Sequence, residues 1–151
     1  RFSSACEVGG VVSGANNSKK KKLFNFGKNL GTAFQLTDDA LDYDGSSVKM
    51  GKNNGDDFFE GKVTLPVILA IKSADKKEKE FWKKVFNKKT RNKTDLKIAK
   101  KIIKEKDTIN KTLKLANQYG EEAKQIMEGF ENNPIRDALI DLVDFSLIRN
   151  H

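Results

Sequence analysis

Phe34-Gln35-Leu36-Thr37-Asp38-Asp39-Ala40-Leu41-Asp42-Tyr43 decides how this chain is read. Asp38 and Asp42 are four residues apart and share one face of a helix, with Asp39 about 100° around from Asp38. Gln35, three residues before Asp38, extends that face. Like charges at this spacing each cost a helix roughly 0.2–0.5 kcal/mol. They also crowd the C-terminal end, where the helix dipole disfavours anions. Two local rules are broken together, which tends to mark function. A hard divalent cation reverses both penalties, and Mg²⁺ takes one or two carboxylates with waters and substrate phosphates. The alternative is a solvated acidic helix end.

Working outward, Leu23, Phe26, Leu30, Ala33, Phe34 and Leu41 fall at three- and four-residue steps. That pattern predicts a long helix from Lys19 to Tyr43, capped by Asn17 or Ser18. Gly27 and Gly31 stand four apart on it and suggest close approach of a neighbouring helix. Phe2 to Val12 reads as a buried helix. Asp44 to Val63 reads as a long functional loop. Further helices are expected over Leu65–Ser73, Lys76–Phe86, a stretch capped by Thr94 or Asp95 and carrying Leu96, Ala99, Ile102 and Ile103, Thr108–Phe130, and Pro134–Ile148. Nothing alternates with period two, so the expected class is all-α.

The 151 residues amount to one domain. The start at Arg1, inside an apolar segment, reads as a cut end. A lone Cys6 rules out an internal disulfide and suits a reducing, cytoplasmic setting; in its apolar stretch it reads as a small buried thiol. No apolar run has transmembrane length. The net charge of +8 is uneven, +1 up to Pro66 and +7 from Val67 onward. This excess reads as solvated lysine-rich helix surface. It lacks the aromatic-interleaved pattern of nucleic-acid binders, so no nucleic-acid partner is expected. The Lys19–Lys22 run reads as an exposed first helical turn. His151, the single histidine, is given no chemistry.

Downstream of the aspartates stand Gly51-Lys52, Gly55-Asp56-Asp57 and Glu60-Gly61-Lys62-Val63-Thr64-Leu65-Pro66. Lys52 and Lys62, on a glycine-containing loop, are candidates to reach a metal-bound diphosphate. No GxxxxGK[ST] phosphate loop is present. Asp56, Asp57 and Glu60 repeat an acidic spacing and read as groups that order the loop.

GxxFQxxDDxLDY, then GK, then GDDFxEGKxTLP resembles the second aspartate-rich region of trans-polyprenyl diphosphate synthases, closest to the octaprenyl-type long-chain branch. FSSACEVGGVVSGA, ANQYGEEA and ALIDLVDFSLIRN are similar to flanking helices of that family. The resemblance implies the C-terminal portion of a single prenyltransferase domain within an all-α isoprenoid synthase bundle of antiparallel helices around a central cavity. It implies Mg²⁺-dependent condensation of isopentenyl diphosphate with an allylic diphosphate, in isoprenoid or quinone side-chain biosynthesis, usually by a homodimer. Carried over by motif, Asp38, Asp39 and Asp42 would hold magnesium. Gln35 would orient the diphosphate network, Lys52 would contact the allylic diphosphate, and Phe34 would sit near the reacting carbons. Lys62 would contact diphosphate or close the loop.

The family's first aspartate motif and the residues that set product length are absent here, so the chain alone is expected to be inactive. Besides a weaker third, a basic nucleic-acid-binding helical module against which the lack of a base-reading motif argues, two rivals stand beside this reading. One is a terpene cyclase or head-to-head synthase, against which EGKxTLP argues. The other is a non-catalytic subunit of a heteromeric synthase, against which the intact DDxxD argues.

Overall fold

The computed structural model describes residues 1–44 and 55–148. Among these the chain forms α1 (Phe2–Val12), α2 (Asn17–Asp44), α3 (Asp56–Glu60), α4 (Leu65–Lys72), α5 (Lys76–Phe86), α6 (Lys93–Glu105), α7 (Thr108–Glu128) and α8 (Pro134–Ile148). There is no strand among the described residues, so the fold is all-α as expected. Among the described residues no helix is long and apolar enough to cross a membrane.

The chain divides into two compact units. The first comprises Arg1–Thr37 with Lys114–His151. Its core joins Phe26, Leu30, Ala123, Met127 and Val143, with Cys6 and Leu23 packed against them. Cys6 is half-buried and not the fully buried thiol expected, and α1, expected to be a buried helix, buries Gly10 alone among the described residues; the burial it has pushes the Cys6 thiol up from its ordinary pKa. The glycines of α2 have the reason their spacing suggested. A Cβ at Gly27 would lie 2.5 Å from the Phe2 carbonyl oxygen, and one at Gly31 would lie 3.2 Å from the Phe2 ring. The α1 backbone therefore rests directly on α2. The cap of α2 is Asn16, one residue before the expected pair, because its Oδ1 accepts the Lys19 N–H at 2.9 Å.

The second unit, Asp38–Leu113, holds the end of α2 and all of α3 to α6. Tyr43, Phe58, Val67, Ala70, Trp82, Val85, Ala99 and Ile103 form its core. Two capping boxes start its amphipathic helices. Asp75 and Glu78 exchange bonds of 2.8 Å at α5. At α6 the cap is Asn92, not Thr94 or Asp95: Asn92 Oδ1 accepts the Asp95 N–H at 2.9 Å, and Asp95 returns the bond to the Asn92 N–H at 3.2 Å. Asp95 is the third residue of the helix and completes the box instead of opening it.

The segment read as loop from Asp44 to Val63 contains a helix. α3 is only five residues long and lies between Gly55 (φ 92°) and Gly61 (φ 81°). One helical turn does not stand alone in water. It holds because Phe58 is fully buried, 6.0 Å from the Phe86 ring centroid, and because each of its ends meets an opposite charge.

Candidate active site: the aspartates at the end of α2

α2 carries Asp38, Asp39 and Asp42 in its last two turns. Asp39 is buried at 8% exposure, and Asp38 and Asp42 are half-buried. Asp42 Oδ1 accepts the Gly55 N–H at 3.3 Å and Oδ2 accepts the Asp57 N–H at 3.2 Å. The Gly55 N–H also meets the Asp42 backbone carbonyl at 3.0 Å. Burial pushes the Asp42 carboxyl above its ordinary pKa and the Asp57 charge adds to this, while the N–H groups of Asp57, Gly55 and Asp56 pull it back. Tyr43, next along, is raised by burial first and by the Asp42 charge second. Its buried hydroxyl has no hydrogen bond of good geometry among the described residues, although the Thr64 hydroxyl lies close enough to oppose the rise.

Lys62 lies 2.7 Å from Glu60 and 2.9 Å from Asp57. Glu60 first, and Asp57 second, hold its ammonium well above the ordinary lysine range. Lys62 thereby ties off the residues that follow α3. Asp57 serves both neighbours, giving its backbone N–H to Asp42 and its carboxylate to Lys62.

In the first unit, Phe34 and Gln35 line a cleft of about 510 Å³ with Arg1, Phe2 and Gly31. The Phe34 and Phe2 ring centroids are 5.9 Å apart. Lys52 lies outside the described residues.

Two residues of this region were not singled out from sequence. Arg91 Nε donates to the Phe58 carbonyl at 2.7 Å, and its Nη1 donates to the Lys88 carbonyl at 3.0 Å. A Cβ at Gly61 would overlap the Arg91 guanidinium, so the chain must be bare there. α3 thus has the Asp42 anion at its N-terminus and the Arg91 cation at its C-terminus, both in line with its dipole. The available signal was chemical: Arg91 is the only arginine between Arg1 and Arg136, in a stretch otherwise full of lysine. A planar fork of donors serves two carbonyls where an ammonium does not. The second residue is Lys100 on α6, half-buried near Asp42 and Asp44.

Among the described residues no group of three or more acidic, histidine or cysteine side chains is gathered closely enough to cage an ion. Mg²⁺ does not ask for one; it keeps waters and takes few carboxylates. The donor set here is all hard oxygen. By the chemistry of its donors the set suits a hard cation held with waters and phosphate oxygens.

The sequence profile of the family described as polyprenyl synthetase matches residues 1–103. The chain belongs to the polyprenyl synthetase family. Among relatives of this family, octaprenyl diphosphate synthase of Haemophilus influenzae is 31% identical over 151 residues, covering 99% of this chain and 45% of the relative. Of solved polyprenyl synthetase structures, a decaprenyl diphosphate synthase from Rhodobacter capsulatus superposes with a TM-score of 0.90 at 40% identity, over 99% of this chain and 46% of that one. A polyprenyl synthase from Caulobacter crescentus, complexed with calcium and isoprenyl diphosphate, gives 0.89 at 41% identity with the same coverage. The chain spans less than half the length of these relatives and matches their C-terminal part.

Proposed function

We propose that this chain supplies the second aspartate-rich half of a Mg²⁺-dependent trans-polyprenyl diphosphate synthase, condensing isopentenyl diphosphate with an allylic diphosphate. The observation that carries the reading is the Asp38, Asp39 and Asp42 set at the end of α2, in a chain of the polyprenyl synthetase family. The Caulobacter relative, complexed with a divalent ion and an isoprenyl diphosphate, supports the same chemistry here.

Asp38 and Asp39 would offer carboxylate oxygens to the metal, and Asp42 would complete the acidic set while it holds the start of α3. Bound Mg²⁺ supplies Lewis-acid help to the departing diphosphate. Gln35 orients the diphosphate, Lys52 neutralises its remaining charge, and Phe34 lies beside the reacting carbons. Lys62, engaged by Glu60 and Asp57, keeps the segment after α3 closed. The chain forms part of a single catalytic domain whose first aspartate motif lies in the portion that precedes this one in its relatives, and the whole enzyme is a homodimer. A cytoplasmic setting belongs to the same reading, resting on the single cysteine, Cys6.

The test is to incubate the chain with Mg²⁺, farnesyl diphosphate and isopentenyl diphosphate, alone and joined behind the N-terminal part of the Haemophilus synthase. The joined protein elongates the substrate to a linear polyprenyl diphosphate, the chain alone does not, and Asp38→Asn abolishes the product. A cyclised hydrocarbon, or full activity in the Asp38→Asn form, contradicts the assignment.

A further inference from the structure

The lysines from Lys72 to Lys106 do not all face solvent. On α6, Lys100 stands four residues after Leu96 and three before Ile103, which places it at the edge of the helix face that enters the core. It is half-buried, whereas the side chain of Lys101, the next residue, is 74% exposed and pairs with Glu105 at 3.8 Å. Lys100 lines a cleft of about 510 Å³ with Tyr43 and Asp44, the last residues of α2, and with Lys104 and Asp107. Asp107 is already engaged, its Oδ1 accepting from Asn110 at 2.6 Å. Burial pulls its pKa down, and the charges of Asp42 and then Asp44 push it back. Fixed charges that are partly buried are screened less than surface ones.

We infer that Lys100 is a positioning residue for the metal-diphosphate site, setting the charge at the C-terminal end of α2 so that cation capture is restrained and diphosphate capture is favoured. This rests on reading Asp38, Asp39 and Asp42 as that site. The logic is one of sign. α2 stacks four aspartates, Asp38, Asp39, Asp42 and Asp44, on its negative end. The Lys100 cation, sharing a cleft with Asp44 and acting on Asp42, offsets part of that repulsion. It opposes the arrival of Mg²⁺ and supports the arrival of an anion afterwards. A residue that merely held the fold would move both affinities the same way on removal. Lys100 moves them in opposite directions.

The experiment is calorimetric titration of the purified chain with Mg²⁺ alone, and then with inorganic pyrophosphate at saturating Mg²⁺. Wild type is compared with Lys100→Met, Lys100→Glu, Lys100→Arg and the surface control Lys101→Met, with circular dichroism as the check on folding. In Lys100→Met the Mg²⁺ Kd falls and the pyrophosphate Kd rises, each by about threefold, the size expected for one charge acting through a partly aqueous medium. Lys100→Glu carries both shifts further, Lys100→Arg restores wild-type values, and Lys101→Met changes neither. High salt compresses the shifts. Lys100→Gln replaces the methionine variant if that form does not fold. Shifts in the same direction, or none in a wild type that binds both ligands, overturn the inference and leave the aspartate site standing. A wild type that binds neither Mg²⁺ nor pyrophosphate overturns both.

Discussion

Asp42 Oδ2 accepts the backbone N–H of Asp57 at 3.2 Å, and its other oxygen takes the Gly55 N–H at 3.3 Å. One carboxylate thus satisfies two of the donors that the start of a helix leaves over. Asp42→Ala should speed amide hydrogen exchange at Asp57 most, since the Gly55 N–H keeps its 3.0 Å bond to the residue-42 carbonyl, and cost about 1–2 kcal/mol of stability, chiefly through the Asp57 donor. Asp42→Asn, which keeps one acceptor oxygen, should fall between. Unchanged exchange at both amides would mean that α3 does not depend on Asp42.

Gly27 and Gly9 separate close approach from plain helix propensity. A Cβ at Gly27 would meet the Phe2 carbonyl at 2.5 Å, and backbone cannot swing aside as a side chain can, whereas Gly9 has nothing within 4 Å. Gly27→Ala is therefore expected to lower stability by about 1–3 kcal/mol as α1 is pushed off α2. Gly9→Ala should raise it by up to about 1 kcal/mol. Thermal unfolding of the two variants checks this, and equal shifts would contradict the packing.

Lys88 Nζ stands 2.8 Å from both oxygens of Asp95, which also closes the capping box of α6. The Lys88 bond, more than any other contact, holds the Asp95 carboxyl below its ordinary value of 3.8. A depressed folded-state pKa gives stability that is fully present above that ordinary value and lost as pH falls through the lowered one. Asp95→Asn should cost about 1–3 kcal/mol at neutral pH, and its unfolding curve should converge on wild type in strong acid. A constant gap across pH would show that ionisation of Asp95 is not what matters.

Much of this architecture could be read from residue spacing. The three- and four-residue steps of α2, the small apolar run of α1, the apolar run opened by Thr64-Leu65-Pro66 at α4, the amphipathic pattern of α5 and α7 and the Asn133-Pro134 start of α8 predicted their positions, and the Gly27–Gly31 pair predicted a helix resting on α2. α3 was hidden because one turn has no periodicity to detect; it exists through the tertiary grip of Asp42, Arg91 and the buried Phe58. The caps at Asn16 and Asn92 were displaced by one to three residues because several polar side chains in a row compete for each cap. At the site, DDxxD was visible, but the division of labour was not. Asp42 turns to α3, and Lys62 turns to Glu60 and Asp57, through contacts made 15 and 5 residues away. Lys100 was lost among lysines because composition treats them alike, although its place between Leu96 and Ile103 set it apart.

The aspartate site is tested most directly by titrating inorganic pyrophosphate into the chain with and without Mg²⁺, wild type against Asp38→Asn. Pyrophosphate should bind wild type only when Mg²⁺ is present, and Asp38→Asn should weaken that binding by about tenfold or more, as loss of a carboxylate from so small a ligand set implies. Equal binding by the two proteins, or binding that ignores Mg²⁺, would contradict the placement of metal and diphosphate at the end of α2.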